Sequence, residues 1–146
     1  MLSLASAQRL RDAGLRWEPA ELDFFGIPLP GLDNQVFVLT NMTVMLEPIQ
    51  ERMSITFHGT TEWALDHIWV GEAIWIPREE QLRDLIEERL VGEQDAGLRL
   101  TTAPLGYRCE LRLHGVTHCF EAFDASEAYA AALLYLLEHR PEPSKR

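Results

Sequence analysis

The chain has 146 residues, 47% apolar and 25% charged, with two cysteines and a formal net charge of −10. That is long enough to bury a sizeable core without disulfides or metal, and the composition is that of a globular rather than a disordered chain. The acidic balance disfavours phosphate backbones, and no apolar run reaches the roughly 18 residues of a membrane span, so the sequence points away from direct nucleic-acid binding and from a membrane helix. Reading from the start, Ser3 caps a helix to about Ala13, with Leu4, Ala7 and Leu10 on one side and Gly14 as its stop. Residues 17–34 hold Pro19, Gly26, Pro28, Pro30 and Gly31 around Phe24-Phe25, which reads as a pinned loop whose aromatics need a pocket. Gln35–Thr40, Thr43–Glu47 and Met53–Phe57 are β-rich and read as a small meander. Thr60 or Thr61 then caps a helix to about Val70, and Ala73–Ile76 forms a short strand. Pro77 suits the first position of a helix whose Leu82, Leu85, Ile86 and Leu90 form an apolar stripe up to Gly92. Strands follow at Leu98–Thr101, Tyr107–Leu113 and Val116–Phe123.

The last helix, within Asp124–His139, has ten residues from Ala128 to Leu137 with no polar group except two tyrosine hydroxyls. Asp124 and Glu127 spell a capping box. Ten helical residues span only about 15 Å, so the run is buried in protein rather than in a bilayer. One stripe holds Ala128, Ala132, Tyr135 and Leu136. A second holds Ala130, Leu133, Leu134 and Leu137. Two stripes call for two covers, and the second is met either by another helix of the chain or by a second copy in a twofold homodimer.

His114-Gly115 forms a two-residue turn that fixes the preceding strand pair. Leu113 then faces Val116, Leu111 faces His118, Cys109 faces Phe120 and Tyr107 faces Ala122 on an apolar side. Arg112 with Thr117, Glu110 with Cys119 and Arg108 with Glu121 make the polar side. Cys109 and Cys119 fall on opposite faces, so no intramolecular disulfide is expected. The same pleat separates Cys109, His114, His118 and Cys119 as zinc ligands, and no CxxC or HExxH spacing supplies the rest, so no metal is expected. Glycine patterns for phosphate are absent. His58, Trp63, Asp66 and His67 are the best candidates for a ligand or partner site: a tryptophan on the polar side of the expected 61–70 helix can anchor a partner or line a cleft near the two histidines.

The segments TFHGTTEWALDHI, AIWIPREEQLRDLI and GYRCELRLHG, with FEAFDASEAYAAALLYLLE, resemble small bacterial and phage-associated proteins that carry a W-x-P-x-x-x-Q-L segment and end in a strand, an acidic cap and an Ala/Leu helix. The resemblance covers about residues 55–140 and implies a mobile-element setting but no assigned activity. The hairpin and capped helix are also similar to the β-β-α half of HicB-type antitoxins, which implies a shared fold element.

The expectation is therefore one α+β domain over residues 1–140, a mostly antiparallel sheet with packed helices, followed by a flexible tail over 141–146. Lacking a leader-like N-terminus, it is expected in the bacterial cytosol as a non-enzymatic binding protein without cofactor, with a protein partner or a second copy. One alternative is an antitoxin-like acidic protein masking a basic partner. Another is a small hydrolase-type enzyme with a cleft near His58, Asp66 and His67.

Overall fold

The computed structural model describes residues 1–40 and 72–139 in full, and the strand backbones of Val44–Ile49, Arg52–Phe57 and His67–Trp69. The chain is α+β, and among the described residues every strand pairing is antiparallel. It divides into two compact units, one of Met1–Arg16 with Pro77–Arg146, the other of Trp17–Ile76.

The first unit holds α1 (Leu4–Asp12), α2 (Glu79–Leu90), a meander of β7 (Gly97–Ala103), β8 (Gly106–Leu113) and β9 (Val116–Ala122), and α3 (Ala125–His139). The β8–β9 register runs from Leu113↔Val116 to Tyr107↔Ala122 as the sequence implies. His114 and Gly115 both take positive φ, 52° and 80°, the backbone that a two-residue hairpin requires. The tip is clamped by the loop before β7. The His114 and Gly115 N–H groups donate to the carbonyls of Gln94 and Asp95, and Arg112 pairs with Asp95 at 2.9 Å.

Three covers, not two, bury α3. Its Tyr135 meets His118 and Phe120 of β9, Tyr129 lies beside Arg83 of α2, and Ala130, Ala131 and Leu134 share a groove with Ser6, Arg9 and Leu10 of α1. Ala130, Leu133 and Leu137 are thus buried within the unit and only Leu134 of that stripe stays partly exposed. Leu82 and Ile86 of α2 are fully buried. That helix starts two residues later than Pro77 suggests. Arg78 is its cap residue, and Gln81 reaches back to accept from the Arg78 N–H at 2.9 Å, the reciprocal contact that fixes a helix start.

The expected capping box of α3 is divided between two helices. Asp124 Oδ1 accepts from the Ser126 N–H at 2.7 Å, as a cap should. Glu127 does not turn back to Asp124. Its two oxygens take the Ser3 N–H at 2.9 Å and the Ser6 hydroxyl at 2.6 Å, at the start of α1. The neighbouring helix has orphan N–H groups and a positive end, and a carboxylate held there stabilises both. Asp124 Oδ2 also receives the Met1 ammonium at 2.8 Å. This ammonium first, and the backbone N–H groups after it, hold the Asp124 carboxyl below its ordinary pKa. A carboxylate whose folded pKa is depressed stabilises above its unfolded value and loses that contribution as pH falls through the folded one. Asp124→Ala should therefore cost about 1 kcal/mol at neutral pH. The gap between variant and wild type should narrow as pH falls below about 4, as urea titrations at pH 7 and pH 3 would show.

The second unit contains two three-stranded sheets, β2-β1-β6 and β3-β4-β5. β1 (Phe24–Gly26) pairs with both β2 (Phe37–Val38) and β6 (Ile74–Ile76). β3 (Val44–Ile49), β4 (Arg52–Phe57) and β5 (His67–Trp69) form the other. The expected 35–57 meander is therefore split, because Phe37–Val38 pair with a strand inside the Pro/Gly-rich segment instead of with Val44–Ile49. Three residues of β1 are too few to show an alternation in sequence. Phe25, Ile27, Leu39 and Ala73 make the core here, with Trp17, Leu32 and Phe37 packed against it. The pocket that Phe24-Phe25 required is built for Phe25, whose ring stacks on Phe37 and meets Trp17 at a tilt. The buried Asp23 holds the entry, its Oδ2 accepting from Trp17 Nε1–H and the Ala20 N–H. Pro48 sits on β3, an edge strand, where its missing N–H costs no ladder bond.

The helix expected up to Val70 is corrected at its end. His67, Ile68 and Trp69 form β5, opposite Thr56, Ile55 and Ser54. Ile and Trp favour a pleated surface when a neighbouring strand offers one, and that tertiary opportunity outweighs helical periodicity. The rest of that expected helix lies outside the described residues.

Candidate functional site

Of the four residues that the sequence offers for a ligand or partner site, the structure describes the strand position of one. His58, Trp63 and Asp66 lie outside the described residues, and His67 begins β5 opposite Thr56. The four residues weighed as zinc ligands are dispersed. Cys109 is buried under the sheet and Cys119 is exposed on its other face. His114 Nε2 pairs with Glu93 at 2.8 Å, and His118 Nε2 lies 3.3 Å from the Tyr135 hydroxyl. Among the described residues no cluster of three or more His, Cys, Asp or Glu is placed to hold a metal ion. Burial pushes the Cys109 thiol up to about 11, with negative neighbours adding to it. In folded protein, iodoacetamide should label Cys119 alone, and Cys109 only after denaturation; equal labelling of both would contradict the register.

The feature that sequence reasoning missed lies at one end of the meander. Pro104 and Leu105 make the turn between β7 and β8, and Phe123 lies between the end of β9 and the Asp124 cap. They flank a cleft of about 410 Å³ whose walls include Tyr107 and Ala122. Leu105 is 82% exposed and Phe123 is 86% exposed. A residue in the place of Phe123 often packs onto the first turns of the following helix, but Phe123 projects into solvent instead. Its backbone is fixed on both sides, by the β9 ladder and by the Asp124 cap.

Gly106 lets the turn close against this segment. A Cβ there would lie 2.4 Å from the Ala122 carbonyl oxygen and 3.0 Å from the Phe123 Cα. The charged group on the wall, Glu121, is engaged by Arg108 at 3.0 Å. The cleft is therefore apolar in character, with the Tyr107 hydroxyl as its remaining side-chain polar group. A signal existed in the sequence: Phe123 and Leu105 flank a strand pair whose apolar side is already complete without them.

A second cluster joins β9 to the end of α3. Tyr135 packs its ring against His118 at 4.5 Å and against His139 at 4.1 Å, and His139 Nδ1 lies 2.9 Å from the Tyr135 carbonyl, to which it must donate. These contacts tie the helix end to the sheet and leave no convergent nucleophile. No protein-family model, curated protein or solved structure matches the chain. Among the described residues no helix is long and apolar enough to cross a membrane.

Proposed function

We propose that this chain is a non-enzymatic binding protein that receives an apolar side chain of a protein partner in the cleft between Leu105 and Phe123. The observation that carries this reading is the pair of large apolar side chains, 82% and 86% exposed, on backbone that cannot fold them away. Covering each would return about 2–3 kcal/mol, enough for two such anchors to dominate a small interface. The cleft volume falls within the range of ligand sites, and its lining offers orientation through one hydroxyl rather than acid/base chemistry. The resemblance to phage-associated proteins supports a partner in the bacterial cytosol.

The test uses N-acetyl-tryptophanamide as an apolar probe, followed by amide chemical shifts. Shifts should centre on Leu105, Tyr107, Ala122 and Phe123, and Leu105→Ser with Phe123→Ser should abolish them without lowering Tm. Cross-linking in the native host should capture a partner with wild type and lose it with the double variant. Probe shifts elsewhere, or a partner indifferent to both substitutions, would overturn the reading.

A further inference from the structure

The meander β7-β8-β9 has two edges, and the one at β9 is left open. In the hairpin closed by His114 and Gly115, Leu113 and Val116 exchange both backbone bonds, and bonded pairs recur at every second residue down to Tyr107 and Ala122. The N–H and C=O groups of Thr117, Cys119 and Glu121 therefore point away from β8. Among the described residues none of these backbone groups meets a partner.

The flank beside them is uncovered as well. In β8 the side chains under the helices, Cys109, Leu111 and Leu113, are buried, whereas His118, Phe120 and Ala122 on the same face of β9 are only half-buried. Thr117, Cys119 and Glu121 are exposed on the opposite face. β9 has none of the devices that keep an edge from pairing: it holds no proline or lysine, its register has no bulge, and its one acidic side chain, Glu121, is already engaged by Arg108 at 3.0 Å. β7, the other edge, is weakened as a template by Gly97 and by the exposed Arg99.

The order of residues along β9 is complementary to itself. When two copies of Val116–Ala122 run antiparallel over their full length, the twofold axis falls at the middle residue, Cys119, and every outward bonding position meets another. Cys119 then faces its own counterpart and Thr117 faces Glu121, with no like charges opposed. On the helix side Phe120 faces His118, and Val116, 56% exposed, faces Ala122, so the half-buried row is covered.

We propose that the chain forms a twofold homodimer by joining β9 to β9, which makes one continuous six-stranded antiparallel sheet. Unmet backbone donors and acceptors at every second residue select an extended strand as the occupant, and the self-complementary side chains select a second copy of this one. Ala130, Leu133 and Leu137 of the stripe first expected at a dimer contact are buried in their own unit, so the contact lies on the sheet instead. The pairing uses the β9 edge rather than the side chains of Leu105 and Phe123, and its failure would leave the cleft reading standing.

Light scattering should give twice the 16.7 kDa of one chain. Copper–phenanthroline should link two folded chains through Cys119, since directly opposed residues of a bonded pair have Cα atoms about 5.5 Å apart, within disulfide range. In a Cys119→Ser background, Thr117→Cys chains should link to Glu121→Cys chains and not to themselves. Thr117→Pro removes an outward N–H and no bond to β8, so it should give a folded monomer; should it not fold, the linking pattern decides. A single-chain mass at every concentration, Thr117→Cys chains that link to themselves, or a folded Thr117→Pro protein of doubled mass would overturn the proposal. So would a monomer whose Thr117–Glu121 amides shift on adding an alternating threonine–valine peptide, which would give the edge to a different protein.

Discussion

Replacing Gly106 with alanine should destabilise the first unit by about 2–3 kcal/mol, the cost of forcing an added carbon into packed surroundings. The added Cβ would stand 2.4 Å from a backbone oxygen of the neighbouring strand, and the neighbour cannot swing aside as a flexible side chain would. Relief requires the Pro104-Leu105 turn to lift away from Ala122 and Phe123, so the variant should also lose binding of the apolar probe. Gly97→Ala is the control. Nothing lies within 4 Å of a Cβ built there, and a change of less than about 0.5 kcal/mol is expected for such a site. Urea midpoints of the two variants, measured at equal m-value, decide. Equal small effects would mean that the turn does not close as described.

Truncating Leu133 to alanine should cost about 3 kcal/mol, since the side chain is fully buried in the middle of α3 and its removal leaves a cavity among packed neighbours. Leu133→Glu should leave the first unit unfolded at neutral pH, because an unpaired carboxylate cannot be hydrated there. Leu134→Glu should behave differently although it is the adjacent residue. Leu134 is only partly buried, on a groove of about 100 Å³ that also presents Arg9, so the new carboxylate reaches water and a cation. Circular dichroism should show a folded Leu134→Glu protein and an unfolded Leu133→Glu one. The contrast also bears on the stripe considered for a homodimer. If Leu134→Glu unfolded the chain as completely as Leu133→Glu, the α1–α3 groove would be a closed core.

What the sequence determined by itself is the part of the fold governed by local rules. The β8–β9 register follows from a two-residue turn with left-handed backbone at His114 and Gly115, since side-chain alternation then has no freedom. The same rule places Cys109 inside and Cys119 outside. α1 is bounded by Ser3 and Gly14, and α2 is marked by the stripe that buries Leu82 and Ile86. Only the tertiary structure decided the rest, because the competing local options were close in energy. Glu127 satisfies the start of α1 instead of closing its own box, since an adjacent helix presents stronger unmet donors. His67–Trp69 become a strand because β4 lies open beside them. Of the residues that sequence singled out for a site, Ala130, Leu133 and Leu137 are buried among the chain's own helices. The cleft was legible only as two large apolar residues, Leu105 and Phe123, flanking a strand pair whose apolar side is complete without them. Its closure depends on exposed apolar side chains held by distant backbone, through Gly106 against Ala122, and no periodicity in sequence records a contact of that kind.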